Sequence, residues 1–162
     1  LAQRNDAGRM SGWIGYSLID ASLTLATGER VRSPFDVTHS TTGSVTWRAT
    51  ADWSIGYTAR YGSGAPMTSI VGSTTNTSGA TLPVYGAVMS ERMPHYLRMD
   101  TRVMRFIRTP GFLLTTYLEV LNLNNRANTA SISYDATYRE RRSIPAFFAS
   151  RTIVMGGELQ FR

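Results

Sequence analysis

The stretch WSIGYTARY, residues 53–61, decides the fold class because it alternates strictly between two kinds of side chain. Its odd positions carry Trp, Ile, Tyr, Ala and Tyr, whereas its even positions carry Ser, Gly, Thr and Arg. A period of two is that of a β-strand, whose successive side chains point to opposite faces. The stretch therefore predicts a strand with one polar face and one apolar face, which has aromatic side chains at both ends.

Further stretches of comparable length alternate in the same way on both sides of this one. The parity slips at residues 121–123, which predicts a β-bulge near a strand end. Residues 12–25 carry apolar side chains on both parities, so that strand is predicted without a definite facing. The six predicted strands are residues 12–25, 38–50, 53–61, 95–107, 112–125 and 148–161.

The connections between the predicted strands alternate in length. Short turns are expected near Asp52 and Pro110, and long connections at about residues 27–37, 64–93 and 126–146. Transmembrane β-barrels show this asymmetry, and most of the predicted strands are longer than is usual in soluble sheets. We therefore predict an all-β fold, an antiparallel up-and-down transmembrane β-barrel segment of about six strands from a larger barrel. A soluble β-sandwich remains an alternative, because it also alternates and buries tryptophans.

Composition excludes several other classes of protein. The net charge is +6 and every basic residue is arginine, but the arginines are scattered apart from Arg139, Arg141 and Arg142. This distribution does not favour a nucleic-acid interface, which clusters basic and aromatic side chains on one face. There is no cysteine, and His39 and His95 have no second ligand at metal spacing. We therefore expect no enzyme activity, cofactor or metal.

Two observations concern the membrane and the ends of the chain. No run of 18 or more apolar residues is present, so no transmembrane helix is predicted. The first six residues lack the basic region and apolar core of a signal peptide. We expect the sequence to begin inside a longer polypeptide.

Residues 69–79, rich in Ser, Thr, Gly and Asn, are expected to form a structureless extracellular loop.

The two faces of the predicted strands carry different candidate residues. The apolar face would touch lipid, and its candidates for the aromatic girdle of a barrel are Trp47, Trp53, Tyr57 and Tyr61. The polar face would line the lumen, where mutual ion pairing is favoured over contact with a plug or a substrate. The charged candidates on that face are Arg60, Arg98, Asp100, Arg102, Glu119 and Glu158.

Several stretches, in order along the chain, resemble one family. They are SGWIGYS at 11–17, PFDVTH at 34–39, YGSGAPMT at 61–68, PHYLRMDTR at 94–102 and YLEVLNLNNR at 117–126. Of these, residues 94–102 are the most specific, because they resemble the family's Tyr-x-Arg-Leu-Asp-Leu-Arg strand. Together the stretches are similar to the C-terminal barrel strands of TonB-dependent outer-membrane receptors. Phe161 matches in type and facing the C-terminal aromatic residue that the barrel-assembly machinery reads, although Arg162 follows it.

The resemblance implies a large barrel in the bacterial outer membrane, closed by an N-terminal plug. Such a receptor imports a scarce nutrient with energy from the TonB complex. Residues 1–162 are expected to be its C-terminal barrel portion, without the plug domain, the N-terminal strands or the segment that contacts TonB. The nutrient class is left open between siderophore, vitamin, saccharide and peptide. The alternative function is a non-transporting outer-membrane barrel or surface anchor.

Overall fold

The computed structural model describes the backbone of residues 2–4 and 8–161, and the side chains of residues 8–161. The described part of the chain is all-β, and it contains no helix that could cross a membrane. The prediction that residues 1–6 are an internal start falls partly outside the described residues. The prediction about Arg162 falls wholly outside them. The strands are β1 (Ala2–Arg4), β2 (Met10–Leu18), β3 (Ser22–Thr24), β4 (Arg30–Arg32), β5 (His39–Arg48), β6 (Trp53–Gly62), β7 (Pro66–Met67), β8 (Ile70–Thr75), β9 (Thr81–Tyr85), β10 (Glu91–Arg92), β11 (Tyr96–Arg108), β12 (Phe112–Leu121), β13 (Thr129–Tyr134), β14 (Arg141–Pro145) and β15 (Thr152–Phe161).

Seven of the strands form one antiparallel sheet in the order β1-β2-β5-β6-β11-β12-β15. Each strand pairs with the next sheet strand along the chain, as in an up-and-down meander. The register places Val45 opposite Tyr57 and Tyr57 opposite Thr101. Among the described residues no ladder joins β1 to β15, so the sheet is open and these two strands are its edges.

Tight turns lie at one end of the sheet and long connections at the other. The turns at 49–52 and 109–111 match the short connections predicted near Asp52 and Pro110. Each is held by local hydrogen bonds, because a Thr hydroxyl accepts from a nearby backbone N–H in both. Thr50 Oγ1 accepts from Asp52 N at 3.2 Å, and Thr109 Oγ1 accepts from Phe112 N at 3.1 Å.

The long connections contain small sheets of their own. β3 pairs with β4, β8 with β9, β13 with β14, and β7 with β10, all antiparallel. The prediction of a structureless loop at 69–79 was wrong, because Ile70–Thr75 is a strand that pairs with Thr81–Tyr85. Gly79, with φ of +82°, lies in the turn that joins these two strands.

Several predicted strand limits also need correction. Within residues 2–4 and 8–161 the main sheet has seven strands instead of the six predicted, since Ala2–Arg4 adds a short strand. The strand predicted at 12–25 is two strands, β2 and β3. The predicted bulge at 121–123 is instead the end of β12, where Asn122 takes a left-handed backbone conformation with φ of +55°. The strand predicted to begin at 148 begins at Thr152.

The described part of the chain has almost no apolar core. Its only buried apolar side chains are Val31, at 8% exposure, and Pro66. The buried polar residues are Asp36, Ser54, Ser69, Asp100, Asn122 and Asn128. Neither face of the main sheet therefore packs against a second layer to form a hydrophobic core.

Candidate functional site: two faces of one sheet

One face of the main sheet is apolar and exposed. Cross-strand partners lie on the same side of a sheet, so the register assigns every side chain to a face. Only Trp13, among the large exposed apolar side chains of these strands, lies on the other face, opposite Ser44. The exposed members of the apolar face are Met10, Ile14, Tyr16, Leu18, Val45, Trp47, Trp53, Tyr57, Tyr61, Met99, Leu118, Ile153, Met155, Leu159 and Phe161.

Aromatic side chains mark both ends of this face. Trp47 and Trp53 lie beside the tight turn at 49–52, whereas Tyr61 lies at the end with the long connections. Tyr16 shares that end, because it pairs with Thr41 and Thr41 pairs with Tyr61. The facing of its strand was ambiguous from the sequence, so Tyr16 was not among the predicted girdle residues.

Tyr57 lies midway between Trp53 and Tyr61 on β6, so it belongs to neither aromatic end. Tyr16 and Tyr61, the two tyrosines at the end with the long connections, each lie beside a histidine. Tyr16 Oη and His39 Nδ1 share a hydrogen bond of 2.8 Å. The Tyr61 and His95 rings lie 5.9 Å apart between centroids.

Arg105 of β11 also lies on the apolar face. It pairs with Trp53 across the β6–β11 ladder, and its guanidinium carbon lies 5.4 Å from the centre of the Trp53 ring. A cation over an indole face is favourable by about 0.5–1 kcal/mol at an exposed site. Arg105 therefore lies at the aromatic end of the face, beside the tight turns.

The opposite face carries the predicted charged residues, and two of them, Arg60 and Arg98, bond to a third, Asp100. Arg60 Nη1 donates to Asp100 Oδ2 at 2.8 Å, and Arg98 Nε donates to Asp100 Oδ1 at 2.7 Å. The Asp100 side chain is only 9% exposed, because the two arginines and the turn at Asn122 cover it. Arg60 thus pairs with Asp100 across β6 and β11, and Arg98 pairs with Asp100 within β11.

Two more predicted charges pair across β11 and β12. Arg102 Nη2 donates to Glu119 Oε2 at 2.6 Å, and the Arg102 guanidinium carbon lies 4.6 Å from the Tyr117 ring centre. The Tyr117 ring in turn lies over Gly156, where an added Cβ would sit 2.5 Å from the Tyr117 hydroxyl oxygen. Glu158 lies on the same face, opposite Thr115, and is exposed.

Two buried asparagines that the sequence did not single out lie in the connection between β12 and β15. Asn122 is fully buried, and its Nδ2 donates to the carbonyls of Arg126, Phe148 and Ala149 at 3.0–3.1 Å. Asn128 bonds both backbone groups of Leu97, each at 2.9 Å. Asn122 thus joins the two ends of this connection, and Asn128 joins the connection to the start of β11. Only their position in the family-like stretch and just after it hinted at a role.

A third buried group, Asp36, lies in the connection between β4 and β5. Its carboxylate accepts hydrogen bonds from Thr38, Arg32 and Arg92 at 2.9–3.2 Å. Burial acts to raise the pKa of Asp36, but the hydrogen bonds from Thr38 and Arg32 and the charge of Arg92 outweigh it and hold that pKa below its ordinary value. The Arg92 guanidinium also donates to the Asp36 backbone carbonyl at 2.9 Å, so the connection before β5 and the connection after β6 are fastened together.

The polar face also holds an open cleft of about 710 Å³ at the end with the tight turns. Arg9, Arg48 and Arg108 line it together with Asp52. Arg108 Nη1 donates to Asp52 Oδ1 at 2.7 Å, so part of the positive charge is neutralised. Within residues 8–161, no three His, Asp or Glu side chains are grouped closely enough to hold a metal ion.

The sheet with two unlike faces is thus the candidate functional surface of this all-β, antiparallel protein. No protein-family model, curated protein or solved structure matches the chain.

Proposed function

We propose that the chain is a wall segment of a β-barrel in the bacterial outer membrane, and that this barrel is a TonB-dependent receptor that imports a scarce nutrient. One observation carries the proposal: the sheet has an exposed apolar face that begins and ends in aromatic side chains, and a polar face of paired charges. Outer-membrane barrels have this division between a lipid side and a lumen side. The ordered family-like stretches support the receptor assignment.

Energetics favour lipid as the cover of the apolar face. Each large apolar side chain gains about 1.5–3 kcal/mol when it is fully removed from water, so a whole face left in water is costly. From Trp53 to Tyr61 the strand has the length that a tilted strand needs to span a bilayer. Its backbone groups bond to β5 and β11, which satisfies the strict requirement for hydrogen bonding in lipid.

The arrangement of the connections supports an orientation for this barrel. Tight turns would lie in the periplasm, and the hairpins of the long connections would lie outside the cell. The open edges, β1 and β15, would pair with strands that complete the barrel, because an unpaired edge in lipid is unfavourable. The barrel-assembly machinery would insert the protein, with Phe161 at the exposed end of β15 as its signal. A plug and a TonB-contacting segment would precede the barrel.

Expression of the full-length gene product tests the proposal in two steps. Recovery in the outer-membrane fraction, with a migration in electrophoresis that changes on boiling, is expected of a folded barrel. Recovery in the soluble fraction would instead support the β-sandwich. Uptake by cells with and without TonB then separates a receptor from a surface anchor. If cells with and without TonB grew equally well on every nutrient class tried, the result would favour the surface anchor.

A further inference from the structure

Two of the long connections meet at the end of the sheet opposite the tight turns and form a cavity between them. Its volume is about 550 Å³, within the range of pockets that bind small molecules. The first wall is the start of β8, including Ile70 and Val71, and the second is the turn between β13 and β14, including Tyr138 and Arg139. Residues far apart in sequence thus share one cavity.

Direct contacts hold the two walls together. Tyr134 Oη of β13 accepts a hydrogen bond from Ile70 N at 3.1 Å, at the point where the β8–β9 register shifts. Arg141 Nη1 of β14 donates to Glu91 Oε2 of β10 at 3.3 Å. The cavity is therefore formed before a ligand arrives, which lowers the entropic cost of binding.

Asp135 organises the turn that presents Tyr138 and Arg139. Its Oδ1 accepts from the backbone N–H groups of Arg139 and Glu140 at 2.8 and 2.9 Å. Its Oδ2 accepts from the backbone N–H and the hydroxyl of Thr137. One carboxylate thus fixes the backbone on both sides of Tyr138.

Tyr138 itself has a left-handed backbone, with φ of +59°. A bulky residue in this region is an outlier, and such strain is concentrated at ligand clamps and switches. The Tyr138 side chain is half-buried against the cavity. The fold thus accepts an unfavourable conformation where an aromatic ring lines a pocket.

The charge of the cavity points to an anion. Arg141 is paired with Glu91, whereas within residues 8–161 the Arg139 guanidinium makes no ion pair. Arginine binds carboxylates through two parallel hydrogen bonds, and this planar match gives specificity. Val71 is 65% exposed, so it offers apolar surface beside the free cation.

We propose that this cavity binds a small ligand that combines a carboxylate with a flat ring, with Arg139 on the carboxylate and Tyr138 against the ring. The inference rests on the proposed function, because it names the ligand class that the extracellular end of the receptor would take. The carboxylate would replace water around Arg139, and the ring would cover Tyr138 and Val71. No covalent chemistry is involved.

The test uses the full-length protein in detergent micelles, with 2-naphthoate as the anionic probe and 2-naphthamide as its neutral counterpart. Titration calorimetry should detect 2-naphthoate and a much weaker response to 2-naphthamide. Arg139→Ala should weaken 2-naphthoate binding about 10- to 100-fold, since a charge-assisted pair is lost. Arg142→Ala is the matched control, because Arg142 is exposed, pairs with Glu140 and does not line the cavity.

Detergent partition of the probe is the same for every variant, so the difference between the two variants reports on the cavity. An equal loss in Arg139→Ala and Arg142→Ala would overturn the proposal in favour of diffuse charge attraction. Absence of 2-naphthoate binding to the unmodified protein, or equal binding of both probes, would overturn the ligand class. Each preparation is also checked for outer-membrane recovery, so failure of the cavity proposal is distinguished from failure of the barrel proposal.

Discussion

The backbone N–H of Asn122, just after β12, donates to Asp100 Oδ1 in the neighbouring strand β11 at 2.9 Å. Asn122 has a left-handed backbone conformation. The same oxygen accepts from Arg98 Nε, while the other carboxylate oxygen accepts from Arg60. Asp100 therefore joins the end of β12 to the charge cluster of the polar face. The conformation of the turn after β12 and the ion pairs of β6 and β11 depend on one carboxylate.

Replacement of Asp100 by Ala should lower the free energy of unfolding by about 2–4 kcal/mol. The variant leaves two arginines and one backbone donor without their partner, and an unpaired buried group is costly. Urea unfolding of the full-length protein from phospholipid bilayers measures the change. Glu140→Ala is the control, because the Arg142–Glu140 pair is 69% exposed on both sides and should contribute about 1 kcal/mol or less. Equal losses in the two variants would contradict a central role for Asp100.

Asn122→Ala should destabilise the protein by a similar amount, about 2–4 kcal/mol. It removes the side-chain donor to the carbonyls of Arg126, Phe148 and Ala149, and alanine tolerates a positive φ less well than asparagine. Asn124→Ala, at an exposed residue of the same turn, should cost much less. The same urea measurement applies. A neutral Asn122→Ala variant would show that the turn is held by other contacts.

The turn around Asp135 should stay ordered well into acid. Hydrogen bonds from the Thr137 hydroxyl and the Glu140 N–H lower the pKa of Asp135 to about 2 from an ordinary value of 3.8. A lowered pKa means that the stabilisation is complete above the ordinary value and is lost as the pH falls through about 2. Hydrogen exchange of the Arg139 and Glu140 amides should accelerate only in that window, after correction for intrinsic rates.

Asp135→Asn is the comparison for this acid transition. Its amides should exchange faster already at neutral pH, and the pH step should be absent. A step near pH 4 in the unmodified protein would mean that Asp135 keeps its ordinary pKa and that the hydrogen bonds from Thr137 and Glu140 do not lower it.

An arginine substitution should destabilise the protein much more on the apolar face than on the polar face. Tyr57 lies at the centre of the apolar face, so Tyr57→Arg should cost about 2–4 kcal/mol in a bilayer. Its neighbour Thr58 lies on the polar face near Ser44, and Thr58→Arg should cost far less because a wet lumen accepts charge. Unfolding from bilayers compares the two. A larger loss for Thr58→Arg would reverse the assignment of the faces.

The alternation of residues 53–61 was enough to predict the strand β6 and the division of its two faces, because a strand's side-chain period is fixed by backbone geometry. Alternation in each strand placed Arg60, Arg98, Asp100, Arg102, Glu119 and Glu158 on the polar faces of their strands, and the register joins those faces into one. That these residues line the lumen of a barrel is a proposal, and so is the role of Phe161 as an assembly signal. Register between strands follows from turn lengths, and both tight turns were recognised from sequence.

Other features could not be read from the sequence, for physical reasons. Hairpin β8–β9 is rich in Thr, Ser and Gly, so its apolar alternation is too weak to indicate strands. The contact of Asp36 with Arg92 and that of Ile70 with Tyr134 join residues more than 50 positions apart, and no local pattern reports them. The left-handed Asn122 appeared as a parity slip, which a bulge produces equally well.

Site-directed spin labelling tests the lipid-facing assignment most directly, because the chain has no cysteine of its own. Labels are attached at Val45→Cys on the apolar face and at its neighbour Ser44→Cys on the polar face, in the full-length protein in bilayers. Power saturation should show that the label at 45 collides with oxygen and not with an aqueous nickel chelate. The label at 44 should collide with the nickel chelate and much less with oxygen. A label at 45 shielded from both reagents, as in a packed β-sandwich core, or open to the nickel chelate, would contradict a lipid-facing wall.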